Sequence, residues 1–280
     1  MQLFTIDTEL FKLDGGAMFG VVPKVLWNKQ HPADENNLCT WAMRLLLIEE
    51  GDRLILIDTG IGDKQNAKFF SHYYLHGDHT LDKSLKAHGY HRDDITDVFL
   101  THLHFDHCGG AVRREGEQLV PAFKNAVYWS NAAHWQWATE PNPREKASFL
   151  SENILPIQQS GQLKFIEVQE GIQFSDDISV RFVDGHTRAM MLPQIRVKDK
   201  TLVYVADLFP STHHFPLPWV MAYDMFPMTT MQEKKAFLQE ALEQDYILFF
   251  EHDPQTECCT LKAAEKGMQV AETFTLDTLF

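Results

Sequence analysis

The sequence predicts an α/β fold, and three observations carry that reading. Short apolar runs at 95–100, 178–183, 201–205 and 247–250 read as buried strands. Each run gives way abruptly to a cluster of Asp, His, Glu or Gly. A polar stretch at 62–92 reads as helical in part, and 131–139 reads as a helix. With 280 residues, 44% of them hydrophobic, the chain can bury a substantial core, and no Gly/Ser linker, repeat or low-complexity tract divides it. It therefore reads as one domain, 1–280.

The formal charge is −14, from 25 basic and 39 acidic residues, which argues against a nucleic-acid backbone or an anionic membrane as partner. MQLFTIDTEL has no basic segment followed by an apolar stretch, and no run reaches the ~20 apolar residues of a membrane span. Cys39, Cys108, Cys258 and Cys259 have neither zinc-knuckle nor disulfide-framework spacing, so a reducing, cytoplasmic setting is expected.

Residues 2–8 alternate as an edge strand would. Asp14-Gly15-Gly16-Ala17-Met18-Phe19-Gly20 reads as a mobile apolar loop or as a hairpin turn with buried tips. Two strands, Trp41 to Ile48 and Arg53 to Ile57, are joined by the hairpin turn Glu49-Glu50-Gly51-Asp52. The second runs into Asp58-Thr59-Gly60, where an aspartate is often only a turn residue. The polar stretch 62–92 carries His72, His76, His79, His88 and His91. His72 and His76 have the i, i+4 spacing of a helical metal pair. They lack a carboxylate-and-glycine context and read as part of a solvated connection.

The densest chemistry lies in ITDVFLTHLHFDHCGG, Ile95 to Gly110. After the apolar strand come His102, His104, Asp106 and His107 within six residues. Side chains at i and i+2 of an extended segment point the same way, so His102 and His104 can face one point. Asp106 and His107 lie where the chain must turn and can face a second point nearby. Gly109 and Gly110 permit tight backbone geometry. Imidazole with carboxylate suits zinc, iron or manganese. Cys108 reads as packing.

HLHFDH resembles the H-x-H-x-D-H signature of the metallo-β-lactamase superfamily of binuclear metallohydrolases. The resemblance implies an αββα sandwich, with two mixed sheets face to face and helices outside. DGGAMFGVVPKVLW is similar to the N-terminal segment of its lactonase-like and organophosphate-hydrolase-like branch, where it forms a loop near the pocket mouth, and DLFPSTHHFPLPWVMAYDMFPMTT, residues 207–230, resembles the quorum-quenching-lactonase-like and YtnP-like branch.

Later in the chain, Ala126 to Trp129 reads as a strand, followed by a helix over 131–139 capped by Asn131 or Ser130. Trp135 and Trp137 read as packing. Pro141 and Pro143 break the chain before a further helix to about Leu150. The strand at 178–183 runs into Asp184-Gly185-His186-Thr187, which matches the superfamily's G-H-[ST] context for a metal histidine. The next strand ends at Asp207, and a carboxylate there is unfavourable unless paired or metal-bound. The last buried strand is followed by Glu251-His252-Asp253.

The resemblance then implies that His102, His104 and His186 hold one divalent ion. Asp106, His107 and His252 hold the other, and Asp207 bridges them. Zinc is the first choice, with iron or manganese as alternatives. Asp58 and Thr187 are expected to brace the ligands. The implied reaction opens lactones or cleaves related esters with a hydroxide held between the ions, and phosphotriesters are a candidate side substrate. Asp207, Asp106 and Tyr223 are the candidate catalytic residues. Residues 207–230, rich in aromatics, Met and Pro, would form an apolar pocket with the N-terminal segment. Met18, Phe19, His213, His214, Trp219 and Tyr223 are its candidate lining residues. At least one of His213, His214 and Tyr223 is expected to hydrogen-bond the substrate. Acyl-homoserine lactonases carry a tyrosine three residues after the bridging aspartate, where this chain has Pro210. Alternatives are a glyoxalase II-like thioesterase and an iron-dependent oxidoreductase on the same fold. The expected partner is a small molecule, with neither nucleic acid nor membrane, and a homodimer is left open.

Overall fold

Leu45 to Ile48 and Ile55 to Ile57 are fully buried, so the two strands that carry them are covered on both faces. These strands, Arg44–Glu50 and Arg53–Ile57, lie inside a six-stranded sheet. Gln2–Asp7 is the expected edge strand, antiparallel to Arg44–Glu50. Beyond Arg53–Ile57 follow Asp97–Phe99, Val127–Ser130 and Leu163–Phe165, each parallel to its neighbour. The carboxyl ends of these parallel strands therefore share one edge, where an open sheet places ligands.

The structure is a computed structural model that describes residues 1–265 and 267–279. They group into two compact units, one of 1–9 and 43–169 and one of 10–42 and 170–279. The first contains the sheet just given, with a core that includes Leu45, Leu47, Leu54, Leu56, Val98, Leu100 and Tyr128. The second contains a seven-stranded sheet. In it, Ile178–Val183 is antiparallel to Met190–Val197, which is antiparallel to Lys200–Tyr204, which is parallel to Ile247–Phe249. Two reversals restore direction, so Ile178–Val183, Lys200–Tyr204 and Ile247–Phe249 end on one edge. Among the described residues no helix is long and apolar enough to cross a membrane.

Three expectations change. Trp41 to Ile48 is not one strand: Leu38–Trp41 pairs with Phe11–Asp14, and Ala42 leaves that ladder to donate to the His252 carbonyl at 3.0 Å. The Asp14–Gly20 segment is a short helix, Gly15–Phe19, because Asp14 caps it by accepting from Ala17 N at 2.8 Å. Met18 and Phe19 are buried there rather than displayed on a loop. The segment after Pro143 is a run of turns, and the helix begins later, at Ser151–Gln159. His72 and His76 lie beyond the helix Ala67–Phe70, within the connection to which the sequence assigns them.

Asp97 ties three neighbouring strands. Its buried carboxylate accepts from Arg53 at 2.8 and 3.1 Å, from Thr96 Oγ1 at 2.7 Å and from Trp129 Nε1 at 2.7 Å. Burial alone would raise its pKa, but the bonds to Arg53, Thr96 and Trp129 outweigh that and hold it below the usual carboxylate value. Its contribution is therefore present above the unfolded-state pKa near ~3.9 and lost as pH falls through the lower folded value. Replacing Asp97 by Asn should cost about 2 kcal/mol at pH 7, since Arg53 loses its charge partner. Denaturant titrations of both proteins across the acid range should show the gap closing as pH falls below ~4.

Candidate metal centre

Asp58 follows Ile57 with φ of +59°, a left-handed conformation that aspartate tolerates better than most residues. The turn places its buried carboxylate under the histidine loop. One oxygen accepts from Thr101 N at 2.8 Å. The other accepts from Thr101 Oγ1 at 2.6 Å and from His107 Nδ1 at 3.1 Å. Thr59 adds two bonds to the His107 carbonyl, from its N at 2.7 Å and its Oγ1 at 2.9 Å. The two glycines act by close approach. A Cβ on Gly109 would meet Ile61 O at 2.1 Å, and one on Gly110 would meet Thr59 O at 2.1 Å.

Hydrogen-bond partners assign the tautomers of the loop histidines. Thr101 gives its hydroxyl proton to Asp58, so at 3.1 Å from His102 Nδ1 that hydroxyl is the acceptor. His102 Nδ1 therefore carries the hydrogen and Nε2 carries the lone pair. His104 Nε2 lies 2.9 Å from Glu145 Oε1, so its hydrogen is on Nε2 and its lone pair on Nδ1. His102 Nε2 and His104 Nδ1 are 3.1 Å apart. Two lone pairs that close repel unless a cation lies between them. His107 donates from Nδ1 to Asp58, and its Nε2 lies 3.9 Å from Asp106 Oδ1. In this unit, potential metal-ligand atoms of His102 and His104 lie within 4.8 Å of each other, as do those of Asp106 and His107.

The second unit repeats the logic. His252 Nδ1 donates to Ala42 O at 2.7 Å, which leaves the Nε2 lone pair 3.1 Å from Asp207 Oδ1. His186 Nδ1 donates to Asp224 Oδ1 at 2.9 Å, and its Nε2 faces Asp207 Oδ2 at 3.0 Å. One carboxylate thus turns a different oxygen to each of two imidazoles. Burial opposes a charge on His186, but Asp207 and Asp224 outweigh it and push the imidazole up to about 10. The pocket of donors calls for positive charge, and the donor chemistry of both units fits a divalent metal. Upstream of His186, Asp184 N and Gly185 N donate to the two Glu233 oxygens at 2.7 and 3.0 Å.

Several contributors carry no local motif. Glu145 lies in a run of turns and Asp224 in a proline-rich loop, and only the fold brings them to His104 and His186. His134, in the helix Ala132–Thr139 with Asn131 as its cap, accepts from Leu103 N at 2.8 Å and fixes the peptide between two ligand histidines. The Asn131 cap was legible in the sequence, but the use of His134 was not. Cys108 is buried packing, its Sγ 3.2 Å from Leu103 O, and burial pushes its thiol up to about 12.

The candidate lining residues divide. Phe19 is stacked between Trp27 at 5.1 Å and His214 at 4.9 Å, with Trp219 edge-on at 5.9 Å. His214 uses both ring nitrogens internally, with Ser211 Oγ and Met18 O each at 2.9 Å. Burial pushes it down to about 3, so it stays neutral and serves as packing rather than as a substrate donor. His213 is half-buried, edge-on to the His31 ring. Tyr223 is 39% exposed, and Thr187 is buried.

The Metallo-beta-lactamase superfamily matches residues 45–252 of this chain. A "probable metallo-hydrolase" of Mycobacterium tuberculosis is 35% identical over 242 residues, 75% of this chain and 74% of that protein. The N-acyl homoserine lactonase of Bacillus cereus is 23% identical over 239 residues, 81% of this chain and 86% of that one. Among solved structures, a "probable metal-dependent hydrolase" from Staphylococcus aureus superposes with a TM-score of 0.88 at 28% identity, over 100% of this chain and 98% of that chain. A dizinc quorum-quenching lactonase in complex with a product shares the fold, with a TM-score of 0.79 at 23% identity over 98% and 95%.

The Asp224–His186 bond predicts a specific loss. Asp224→Ala should weaken metal binding by roughly 10–100-fold, because it frees the ring and its tautomer. Competition with a chromophoric chelator measures this, and circular dichroism checks that the fold is kept. Unchanged affinity would show that His186 needs no such partner.

Proposed function

The chain belongs to the metallo-β-lactamase superfamily as a hydrolase with its fold, and from that premise we propose a binuclear metal-dependent hydrolase of lactones or related esters. In this reading the two units act as one domain, 1–280. His102 Nε2, His104 Nδ1 and His186 Nε2 hold one ion. Asp106, His107 Nε2 and His252 Nε2 hold the other, and Asp207 bridges them. Zinc is the preferred ion on its nitrogen and oxygen donor set, with iron or manganese next. The observation that carries the proposal is Asp207, whose two oxygens lie 3.0 and 3.1 Å from two different imidazoles.

When bound, two such ions supply a water acidified toward neutral pH and a Lewis acid for the carbonyl oxygen. The chain's own residues hold that chemistry in place. Asp58, Glu145, Asp224 and the Ala42 carbonyl each take the hydrogen of one imidazole, so the opposite nitrogen is the one presented. Asp106 is the carboxylate proposed to return a proton to the leaving oxygen. Tyr223 is the proposed phenol donor to the substrate, in place of the tyrosine that Pro210 replaces. The lactonases among the similar proteins support the substrate class.

Metal-replete protein should hold two ions per chain by plasma emission and lose turnover on chelation. Asp207→Ala should cut turnover by about 10³-fold or more, as expected when a shared ligand is removed from a two-metal site. In a panel of lactones and thioesters, the lactones should be hydrolysed faster. Preference for thioesters would favour the glyoxalase II-like alternative, and one ion per chain would exclude the binuclear reading. Tyr223→Phe should lower kcat by about 10²–10³-fold with metal content unchanged. Equal kinetics would remove the phenol from the mechanism.

A further inference from the structure

The first unit contains a cavity of about 310 Å³ lined by Asp63, Lys64, Asp82, His91, Arg92, Arg113 and Arg114. Four basic side chains face two carboxylates there, in a chain whose formal charge is −14. We propose that this cavity binds a small divalent tetrahedral oxyanion of the phosphate or sulfate type.

Lys64 carries the argument. It is only 7% exposed, and its ammonium donates to the Gly109 carbonyl, a neutral acceptor. A buried ammonium is costly; Glu152 and Asp63 favour its charge without outweighing burial, and a bound anion lowers the cost further. Burial already pushes Lys64 down to about 8. Arg113 gives an independent sign. Its terminal nitrogen pairs with Glu115, but its Nε is buried with no hydrogen-bond partner among the described residues. An orphaned guanidinium N–H is the kind of donor that oxyanions satisfy. Arg92 is committed to Asp82 at 2.5 and 3.3 Å and lies over the Phe123 ring, so it forms a fixed wall. Arg114 is exposed and free to close on a ligand.

The site has a route to the histidine loop. Gly109 is the acceptor of Lys64 and lies two residues after His107. An anion that draws the ammonium toward the cavity would pull on that carbonyl.

The test is calorimetric titration of metal-replete protein with sodium sulfate at constant ionic strength, with glycerol 2-phosphate as a second arm. Both should bind once per chain at this cavity. Tighter binding of glycerol 2-phosphate would identify a phosphomonoester as the better ligand, and equal binding a free inorganic ion. Arg113→Gln/Arg114→Gln, two changes on the antiparallel pair Val112–Glu115 and Gln118–Pro121, should weaken binding at least about tenfold while the far-ultraviolet spectrum is unchanged. Lys262→Gln, which removes an exposed cation elsewhere, should leave it as in wild type. No saturable binding of either anion, or equal affinity in the Arg113→Gln/Arg114→Gln protein, would overturn the proposal. The latter result would place the anion elsewhere, as at a metal ion.

Discussion

One buried carboxylate fixes the first half of the site. Asp58 accepts three hydrogen bonds, from Thr101 N, Thr101 Oγ1 and His107 Nδ1, and each has a consequence further along the loop. The bond from Thr101 Oγ1 uses up the hydroxyl proton, which turns the same oxygen into an acceptor for His102 Nδ1. The bond from His107 fixes the second ring directly. Asp58 thereby sets two tautomers at once, and Glu145 sets the third. None of these groups needs to touch an ion to decide which nitrogen an ion would meet.

The loop from Phe209 to Phe226 does comparable work in the second unit. Buried Lys234 donates to Trp219 O at 2.8 Å and Pro216 O at 3.1 Å, and burial pushes its ammonium down to about 7. Asp253 accepts from Thr212 N and Oγ1, each at 2.9 Å. His214 is stacked on Phe19 and bonded at both nitrogens. A loop tied at so many points can hold Asp224 against His186. Its polar residues are thus used mainly to fix its own path, and Tyr223 and His213 are the groups it leaves at or near solvent.

The residues of the proposed site stand out in the sequence because they cluster at strand ends. His102 to His107 stand out by local spacing, whereas His186, Asp207 and His252 join the proposed ligand set only through the superfamily resemblance added to their strand contexts. What could not be read was the set of groups that orient them. Glu145 and Asp224 meet their histidines through tertiary structure, across separations of 41 and 38 residues. The Asp14–Gly20 segment left two readings open, and its burial of Met18 and Phe19 agrees with the buried turn, not the mobile loop; the Asp14 cap, which makes it a helix, was not read. The split at Ala42 likewise depends on a distant partner, His252.

The central proposal is that both imidazole sets present preselected nitrogens to two ions that Asp207 would share. Anomalous diffraction from crystals grown with zinc tests it most directly. The account predicts two peaks per chain, with His104 ligating through Nδ1, His102, His107, His186 and His252 through Nε2, and one Asp207 oxygen on each ion. A single peak, or His104 bound through Nε2, would contradict it.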